Sequence, residues 1–221
     1  IRKRHSDRET IEINDEYDIN VISENSAIRN QKIGQIVSHL DQIPTGNEGA
    51  NEFEQWCLDA LRIVFASHLT DLKIHPNGNA VQRRDIVGTN GAKTDFWKRV
   101  LEDYKSRQVV FDAKNFYELG PSEYRQVQSY LTGPYGKLGF IVNREDDETL
   151  KQGKDLDWTR EMHQSHGALI IKLPAKFISK LLQKLRSPEK HDAIDVQMGK
   201  LLTVYETSYM SIKTTTKRRK K

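Results

Sequence analysis

The sequence predicts a mixed α/β fold in which helices flank a central sheet. The hydrophobic pattern gives the order helix, three strands, helix, strand, helix, strand, with αβββαβ as its core. The first three strands favour an antiparallel meander, whereas helices separate the later strands and favour crossover connections. With 221 residues, 36% hydrophobic and 30% charged, the chain can bury a core as one sizeable domain.

Residue spacing places the individual elements. Apolar residues at steps of three and four predict helices, and β-branched or alternating runs predict strands. Turn-forming residues at 76–79 predict a hairpin, and 88–93 is predicted as a loop. In chain order, the predicted elements are helices Ser23–Ile43 and Asn51–His68, strands Leu72–His75 and Ala80–Val87, a short helix Phe96–Tyr104, strand Gln108–Phe116, helix Gly120–Leu131, strand Leu138–Asn143, helix Asp146–Ser165, strand Ala168–Leu173, and helices Pro174–Arg186 and Glu189–Glu206.

Four segments organise the chain: an N-terminal arm and helix (1–47), a core (48–175), C-terminal helices (176–212) and a basic tail (213–221). The first residue is Ile1 rather than methionine, so we expect a fragment or a processed form of something longer. No apolar run approaches the roughly 20 residues of a membrane span, so no membrane association is expected. A single cysteine, Cys57, excludes an intramolecular disulfide and favours a reducing, cytoplasmic location.

The positive charge is concentrated in the tail. Residues 213–221 carry six basic and no acidic side chains, and subtracting them from the net charge of +4 leaves about −2 for the rest. Nucleic-acid contacts in the body must therefore come from local patches. The tail either binds phosphates or is a disordered, solubilising end. The candidate nucleic-acid-binding residues are Arg83, Arg84, Lys217, Arg218 and Arg219.

The stretch Gln108–Phe116, QVVFDAKNF, places two charges inside an apolar strand. Because side chains alternate along a strand, Asp112 and Lys114 share a face. A simple ion pair on a half-exposed strand is one interpretation. The upstream acids favour another: Glu54 lies on the buried edge of a patterned helix, and Asp85 shares a strand face with apolar neighbours. For Glu54, a helix-start acid that complements the macrodipole is the alternative.

The gathered acids suit one kind of chemistry. Oxygen ligands favour Mg²⁺ or Mn²⁺ over zinc, and the chain has no Cys cluster and no His-x₃-His pair. A P-loop, a Rossmann fingerprint and a Gly-x-Ser-x-Gly elbow are also absent. Carboxylates that bind a metal beside a lysine suit phosphodiester hydrolysis. Lys114, next to several acids, is expected to stay protonated and to act electrostatically rather than as a base.

Downstream, Gln126 and Tyr130 lie four residues apart on one helix and are close enough to act together. Ordinary surface polarity is the alternative interpretation of this pair. Two other segments, Asp71–Lys73 and Asp103–Lys105, also fit Asp-x-Lys. Only Asp112–Lys114 lies inside an apolar strand that follows an acid-bearing strand and precedes a Gln-x₃-Tyr helix.

These four elements, in this order, resemble the PD-(D/E)XK, or restriction-endonuclease-like, nuclease superfamily, closest to its Mrr-like and RecB-like branches. The resemblance covers roughly residues 48–173. The family's helix glutamate corresponds to Glu54 in NEFEQW, and its strand aspartate corresponds to Asp85 in RRDIV. Its Asp-x-Lys pair corresponds to Asp112 and Lys114 in FDAKNF. The catalytic residues that it implies are Glu54, Asp85, Asp112, Lys114, Gln126 and Tyr130.

The resemblance also implies a restriction-endonuclease-like core and a metal site formed by Glu54, Asp85, Asp112 and the main-chain carbonyl of Ala113. Two departures from the family pattern are visible. Arg84 stands before the strand aspartate where many members have proline. The acid of the Asp-x-Lys pair is aspartate where glutamate is more usual, which shortens its reach by one methylene.

The predicted function is a Mg²⁺- or Mn²⁺-dependent endonuclease that cuts DNA in restriction or anti-phage defence. It would act alone, as a homodimer or as a module of a larger defence complex. Two alternatives stay open. The first is an inactive, nuclease-like module for nucleic-acid binding or assembly, and the second is a junction resolvase or an RNA-directed nuclease.

Overall fold

A computed structural model describes residues 26–66, 68–76 and 84–211. The predicted arm at 1–23, most of the predicted hairpin turn and the basic tail lie outside these ranges. The described elements are α1 (Ser26–Leu40), α2 (Ala50–Val64), β1 (Leu69–Ile74), β2 (Ile86–Asn90), α3 (Asp95–Glu102), β3 (Gln108–Ala113), α4 (Pro121–Tyr130), β4 (Leu138–Asn143), α5 (Asp155–His166), β5 (Leu169–Pro174), α6 (Ala175–Lys184) and α7 (Asp192–Val204), with a π-helical turn at Tyr205–Tyr209.

The strands form one five-stranded mixed sheet in the order β1-β2-β3-β4-β5. The first three pair antiparallel, and β4 and β5 continue parallel to β3. The predicted mixed α/β fold and antiparallel meander are therefore confirmed. This topology brings the ends of β1, β3, β4 and β5 and the start of β2 to one edge of the sheet, which we call the site edge.

Helices cover both faces of the sheet, and β3 shows how the residues divide. Val109 and Phe111 belong to the larger core with α2, α3 and α6. Val110 instead packs with Val87 and Tyr130 on the face covered by α4. Because Asp112 is two residues beyond Val110, its side chain lies on the α4 face.

Several predicted boundaries shift, with two corrections of substance. Gly88–Asn90 is part of β2 rather than a loop, because it pairs with β3 at Val109 and Gln108. Among the described residues the second arm begins at Ile86. Ile74 pairs with Ile86 and the N–H of His75 bonds to the carbonyl of Asp85, so the register that a four-residue turn at 76–79 predicts is wrong.

The predicted charged helix at 146–165 begins only at Asp155. The preceding segment, 144–154, is not helical, and hydrogen bonds to side chains hold it in place. Lys172, fully buried on β5, contacts Glu145, the carbonyl of Thr149 at 2.9 Å and Asp155 Oδ2 at 2.7 Å. Asp155 also accepts a hydrogen bond from the main-chain N–H of Lys151 at 2.5 Å. The buried ammonium thus fixes this segment to the sheet.

In the described part of the chain, no helix combines the length and apolar character needed to cross a bilayer.

Replacing Lys172 with methionine should strongly destabilise the fold. The stem would still fill its space, but two carboxylates would lose their buried cation, a loss of about 3–5 kcal/mol in the free energy of unfolding. Urea denaturation measures it. Lys176→Met is the matched control, because Lys176 pairs with Asp146 on the surface at 2.6 Å, where solvent screening leaves such a pair little effect on stability. Equal losses in the two variants would contradict the role of Lys172 in fixing residues 144–154 to the sheet.

Candidate functional site

The candidate residues gather at the site edge because the sheet topology brings their elements together. Asp85 directly precedes β2, and Asp112 is the second-last residue of β3. Ile86 pairs with Phe111, so the next step of the register sets Asp85 beside Asp112. The side chain of Asp85 accepts a hydrogen bond from the main-chain N–H of Ala113 at 2.9 Å. This bond fixes the Asp85 carboxylate against the end of the central strand.

Asp112 is fully buried, and its pair with Lys114 has the predicted geometry. Lys114 Nζ lies 2.7 Å from Asp112 Oδ2. The strand ends at Ala113, but the N–H of Lys114 still bonds to the carbonyl of Val142 at 2.7 Å. The half-exposed interpretation of this pair is wrong for Asp112, whose carboxylate is 0% exposed. Its Oδ1 has no hydrogen-bond donor among the residues that the structure describes.

The surroundings raise the pKa of both members of this pair, for different reasons. Burial raises the pKa of Asp112 to about 7; attraction to Lys114 opposes the rise, and the neighbouring Asp85 adds to it. Burial alone would lower the pKa of Lys114, but Asp112 and Asp85 outweigh it and hold that pKa above its ordinary value. Lys114 therefore stays a cation at neutral pH, as the sequence predicts.

A second group of potential ligands lies beside Asp85. Glu54 on α2, His75 after β1 and Asp85 offer ligand atoms that all lie within 4.8 Å of one another. His75 Nε2 is 2.8 Å from Glu54 Oε1. Glu54 is in the second turn of α2, and Glu52 is the acid of the first turn, so the helix-start interpretation does not account for Glu54. Within the described ranges, Asp112 is not part of this three-residue group.

His75 is the residue that the sequence interpretation missed. The assumed tight turn paired the wrong residues, whereas the structure joins the N–H of His75 to the carbonyl of Asp85 at 2.9 Å. A register that pairs Ile74 with Ile86 would have predicted this neighbour. His75 also has φ of +46°, a left-handed conformation in which histidine is enriched among non-glycine residues.

Gln126 and Tyr130 contact each other as predicted, with Gln126 Nε2 donating to the Tyr130 hydroxyl at 2.5 Å. The Tyr130 ring is buried against Val87 and Val110. Burial raises the pKa of Tyr130; the Gln126 hydrogen bond opposes this, and the charges of Asp112 and Asp85 reinforce it. The hydroxyl therefore stays protonated beside the acids.

Arg84 faces inward. Its guanidinium carbon lies 4.0 Å from the centroid of the Tyr135 ring and 5.4 Å from that of Tyr130, and Nη2 donates to the Tyr130 carbonyl at 3.3 Å. The residue is 7% exposed, so its guanidinium packs α4 against the segment before β2. The other four candidate nucleic-acid-binding residues, Arg83, Lys217, Arg218 and Arg219, lie outside the described residues.

The donor chemistry of the site fits a divalent cation. Asp85 lies beside Asp112 and also belongs to the group with Glu54 and His75, and Asp112 holds a buried oxygen that has no donor among the described residues. Mg²⁺ and Mn²⁺ take such oxygen ligands. The role predicted for the Ala113 carbonyl stays a prediction.

Comparison with known proteins gives a close relative, and the chain matches only part of its length. The chain is 83% identical over 213 residues, 96% of its length, to an Escherichia coli K12 protein described as "putative transposon gamma-delta 80.3 kDa protein". It spans 30% of the length of that relative. No protein-family model and no solved structure matches the chain.

Replacing Asp112 with asparagine should change how stability depends on pH in metal-free buffer. Folding raises the pKa of Asp112 from 3.8 to about 7. Between these two pH values the folded parent binds a proton that the unfolded chain has released. The parent therefore loses stability as the pH rises, by at most roughly 4 kcal/mol. Asparagine has no proton to lose. The difference in Tm, variant minus parent, should therefore increase between pH 5 and pH 8.

The control for this experiment is Asp147→Asn. The backbone N–H of Thr149 donates a hydrogen bond that lowers the pKa of exposed Asp147 below its ordinary value of 3.8, so this carboxylate is ionised in the folded and unfolded states above pH 5 and the Tm difference for the control should stay flat between pH 5 and pH 8. A flat Asp112 difference between pH 5 and pH 8 would contradict a buried, titrating carboxylate.

Proposed function

We propose that the chain is the nuclease module of a longer protein, a restriction-endonuclease-like core that hydrolyses phosphodiester bonds in DNA as a Mg²⁺- or Mn²⁺-dependent endonuclease. The observation that carries this proposal is the buried Asp112 carboxylate, held between Lys114 and Asp85 at the site edge. Such a carboxylate costs stability, and costly charges of this kind cluster at functional sites. The mixed strand order supports the restriction-endonuclease-like core.

Asp85, Asp112 and Glu54 are the residues that would hold the cation, together with the Ala113 carbonyl. A bound divalent ion polarises phosphoryl oxygens, lowers the pKa of bound water and stabilises the leaving oxyanion. The main-chain N–H of Ala113 keeps Asp85 oriented toward Asp112 before any substrate arrives. That preorganisation avoids reorganising charged groups during the reaction.

Lys114 supplies the positive charge that the chain itself contributes to the reaction. The ammonium, 2.7 Å from Asp112, orients the attacking water and offsets negative charge that develops on the phosphoryl oxygens. Its raised pKa argues against a role as general base. Tyr130 and Gln126 lie on the same face of the sheet and support this charge cluster from α4.

The transposon relative supports two parts of the proposal. Its printed name connects it with a mobile DNA element, which favours DNA over RNA as the substrate. Its greater length supports the prediction of a module within a larger protein. For the biological setting, restriction or anti-phage defence stays our prediction, and action on transposon DNA becomes a second candidate.

Cleavage of supercoiled plasmid should require Mg²⁺ or Mn²⁺ and should stop in EDTA, because the acids need a divalent ion to act on phosphate. Ca²⁺, with larger and looser coordination, should permit binding without efficient turnover. Nicked and linear products, resolved on agarose gels, identify an endonuclease. Full activity in EDTA would contradict the proposed mechanism. Cleavage of RNA alone, or of branched junctions alone, would mean that duplex DNA is not the substrate.

Lys114→Met should lower cleavage by roughly 10²–10³, the range for removing one donor that stabilises an oxyanion. Methionine keeps the aliphatic stem and removes the charge. Lys114→Arg should rescue poorly because a planar guanidinium differs from a point ammonium. The readout is single-turnover plasmid cleavage at fixed Mg²⁺ concentration.

The other two Asp-x-Lys segments provide matched controls. Lys73 pairs at 3.6 Å with Asp71, both largely exposed, and the exposed Lys105 donates to the carbonyl of Glu102 at 2.6 Å. Lys73→Met and Lys105→Met should therefore cut like the parent. Near-parental cleavage by Lys114→Met, with loss in either control, would mean that the active strand is misassigned.

Deleting residues 213–221 should weaken DNA binding and flatten its salt dependence. The deletion removes six positive charges, and each lost phosphate contact reduces the log–log slope by up to about 0.9. Fluorescence anisotropy with a labelled duplex at several salt concentrations measures the slope. An unchanged slope would assign the tail to solubility or targeting.

A further inference from the structure

The environment of His75 differs from that of an ordinary surface histidine. Nδ1 lies 3.3 Å from the carbonyl oxygen of Arg84, and Nε2 lies 2.8 Å from Glu54 Oε1. The side chains of His75 and Glu54 are 19% and 14% exposed. The ring is thus fixed at both nitrogens, with Nε2 directed at the acids.

We propose that Glu54, His75 and Asp85 form a mixed nitrogen and oxygen site for a divalent transition-metal ion, and that His75 makes this site prefer Mn²⁺ to Mg²⁺. The inference rests on the metal dependence in the proposed function and adds a ligand that the oxygen-only site lacks. Imidazole suits transition metals, whereas Mg²⁺ favours carboxylates, carbonyls and water.

The distances within the group agree with shared coordination. Adjacent ligands on an octahedral ion, at bond lengths of roughly 2.0–2.2 Å, lie about 3 Å apart. The separation of 2.8 Å between His75 Nε2 and Glu54 Oε1 is close to this value. Asp85 completes the group within 4.8 Å.

The second nitrogen supports the same assignment. A histidine that binds a metal usually donates its other N–H to a carbonyl or carboxylate, which fixes the tautomer and the ring orientation. The Arg84 carbonyl is in position to accept this bond from Nδ1. The Arg84 guanidinium stacks on Tyr135, and this packing anchors the carbonyl that orients the ring.

Asp112 provides an independent indication of a cation here. Its carboxyl group contacts that of Asp85, and its Oδ1 lacks a donor in the described part of the chain. The ammonium of Lys114 balances one of these charges. A cation bound by Glu54, His75 and Asp85 would offset the negative charge that Lys114 leaves unbalanced in this cluster.

A simple Glu54–His75 ion pair is the competing explanation, and the chain offers a matched example. His39 Nε2 lies 2.7 Å from Glu52 Oε1 on the surface. The described residues place no third ligand beside this second pair. His39→Gln therefore controls for the loss of a histidine–glutamate contact.

The test measures Mn²⁺ and Mg²⁺ binding to the full chain at one fixed pH, by calorimetry and by electron paramagnetic resonance. The parent should bind Mn²⁺ more tightly by roughly 10-fold or more, because imidazole favours the transition metal. His75→Gln exchanges the nitrogen for an amide oxygen and should lower Mn²⁺ affinity by roughly 10-fold or more with little change for Mg²⁺. His39→Gln should leave both affinities at the parental values.

A spectroscopic readout makes the test independent of any variant. Electron spin echo envelope modulation of bound Mn²⁺ should show ¹⁴N coupling in the parent, and ¹⁵N-histidine labelling should change the coupling frequency. Mn²⁺ binding without nitrogen coupling, or an unchanged Mn²⁺ to Mg²⁺ ratio in His75→Gln, would overturn the role of His75 while leaving metal-dependent cleavage intact. Failure of the parent to bind either ion would overturn both proposals.

Discussion

The constraint on which the candidate site depends is the burial of the Asp112 carboxylate next to a second acid. A charge removed from water must be matched locally. Lys114 on the same strand face and the N–H of Ala113, which occupies one oxygen of Asp85, provide that match. Both contacts require β2 and β3 to keep their register. Stacking of Phe111 on Phe140, with centroids 4.8 Å apart, anchors β3 to β4 from the opposite face of the sheet.

The same end of the sheet holds a second buried charge, and the contrast is informative. Asp112, Ile141 and Lys172 occupy successive positions across β3, β4 and β5. Lys172 contacts two carboxylates and a carbonyl, so its ammonium is balanced inside the protein. Asp112 keeps an oxygen without a donor in the described part of the chain. A satisfied charge serves the scaffold, whereas an unsatisfied one is the feature expected of a binding site.

Much of this arrangement could be predicted from the sequence because local patterns determine it. The alternation along β3, whose pairing with β4 continues to the N–H of Lys114, sets Asp112 and Lys114 on one face, and the helical spacing joins Gln126 to Tyr130. The start of α5 could not be predicted from its charged sequence, since long-range contacts from Lys172 hold residues 144–154 out of the helix. Tertiary contacts override local propensity in such segments.

Arg84 and His75 illustrate the part of the site that no local pattern specifies. The sequence interpretation assigned Arg84 to nucleic acid, but only the fold shows that Tyr130 and Tyr135 surround its guanidinium. His75 belongs to no motif, and it reaches the acids because its N–H pairs with the carbonyl of Asp85 and its backbone turns left-handed. Such a conformation costs of order 1–3 kcal/mol in a non-glycine residue. A register that brings Arg84, Asp85 and His75 together therefore determines the proposed ligand set as strongly as the Asp-x-Lys motif does.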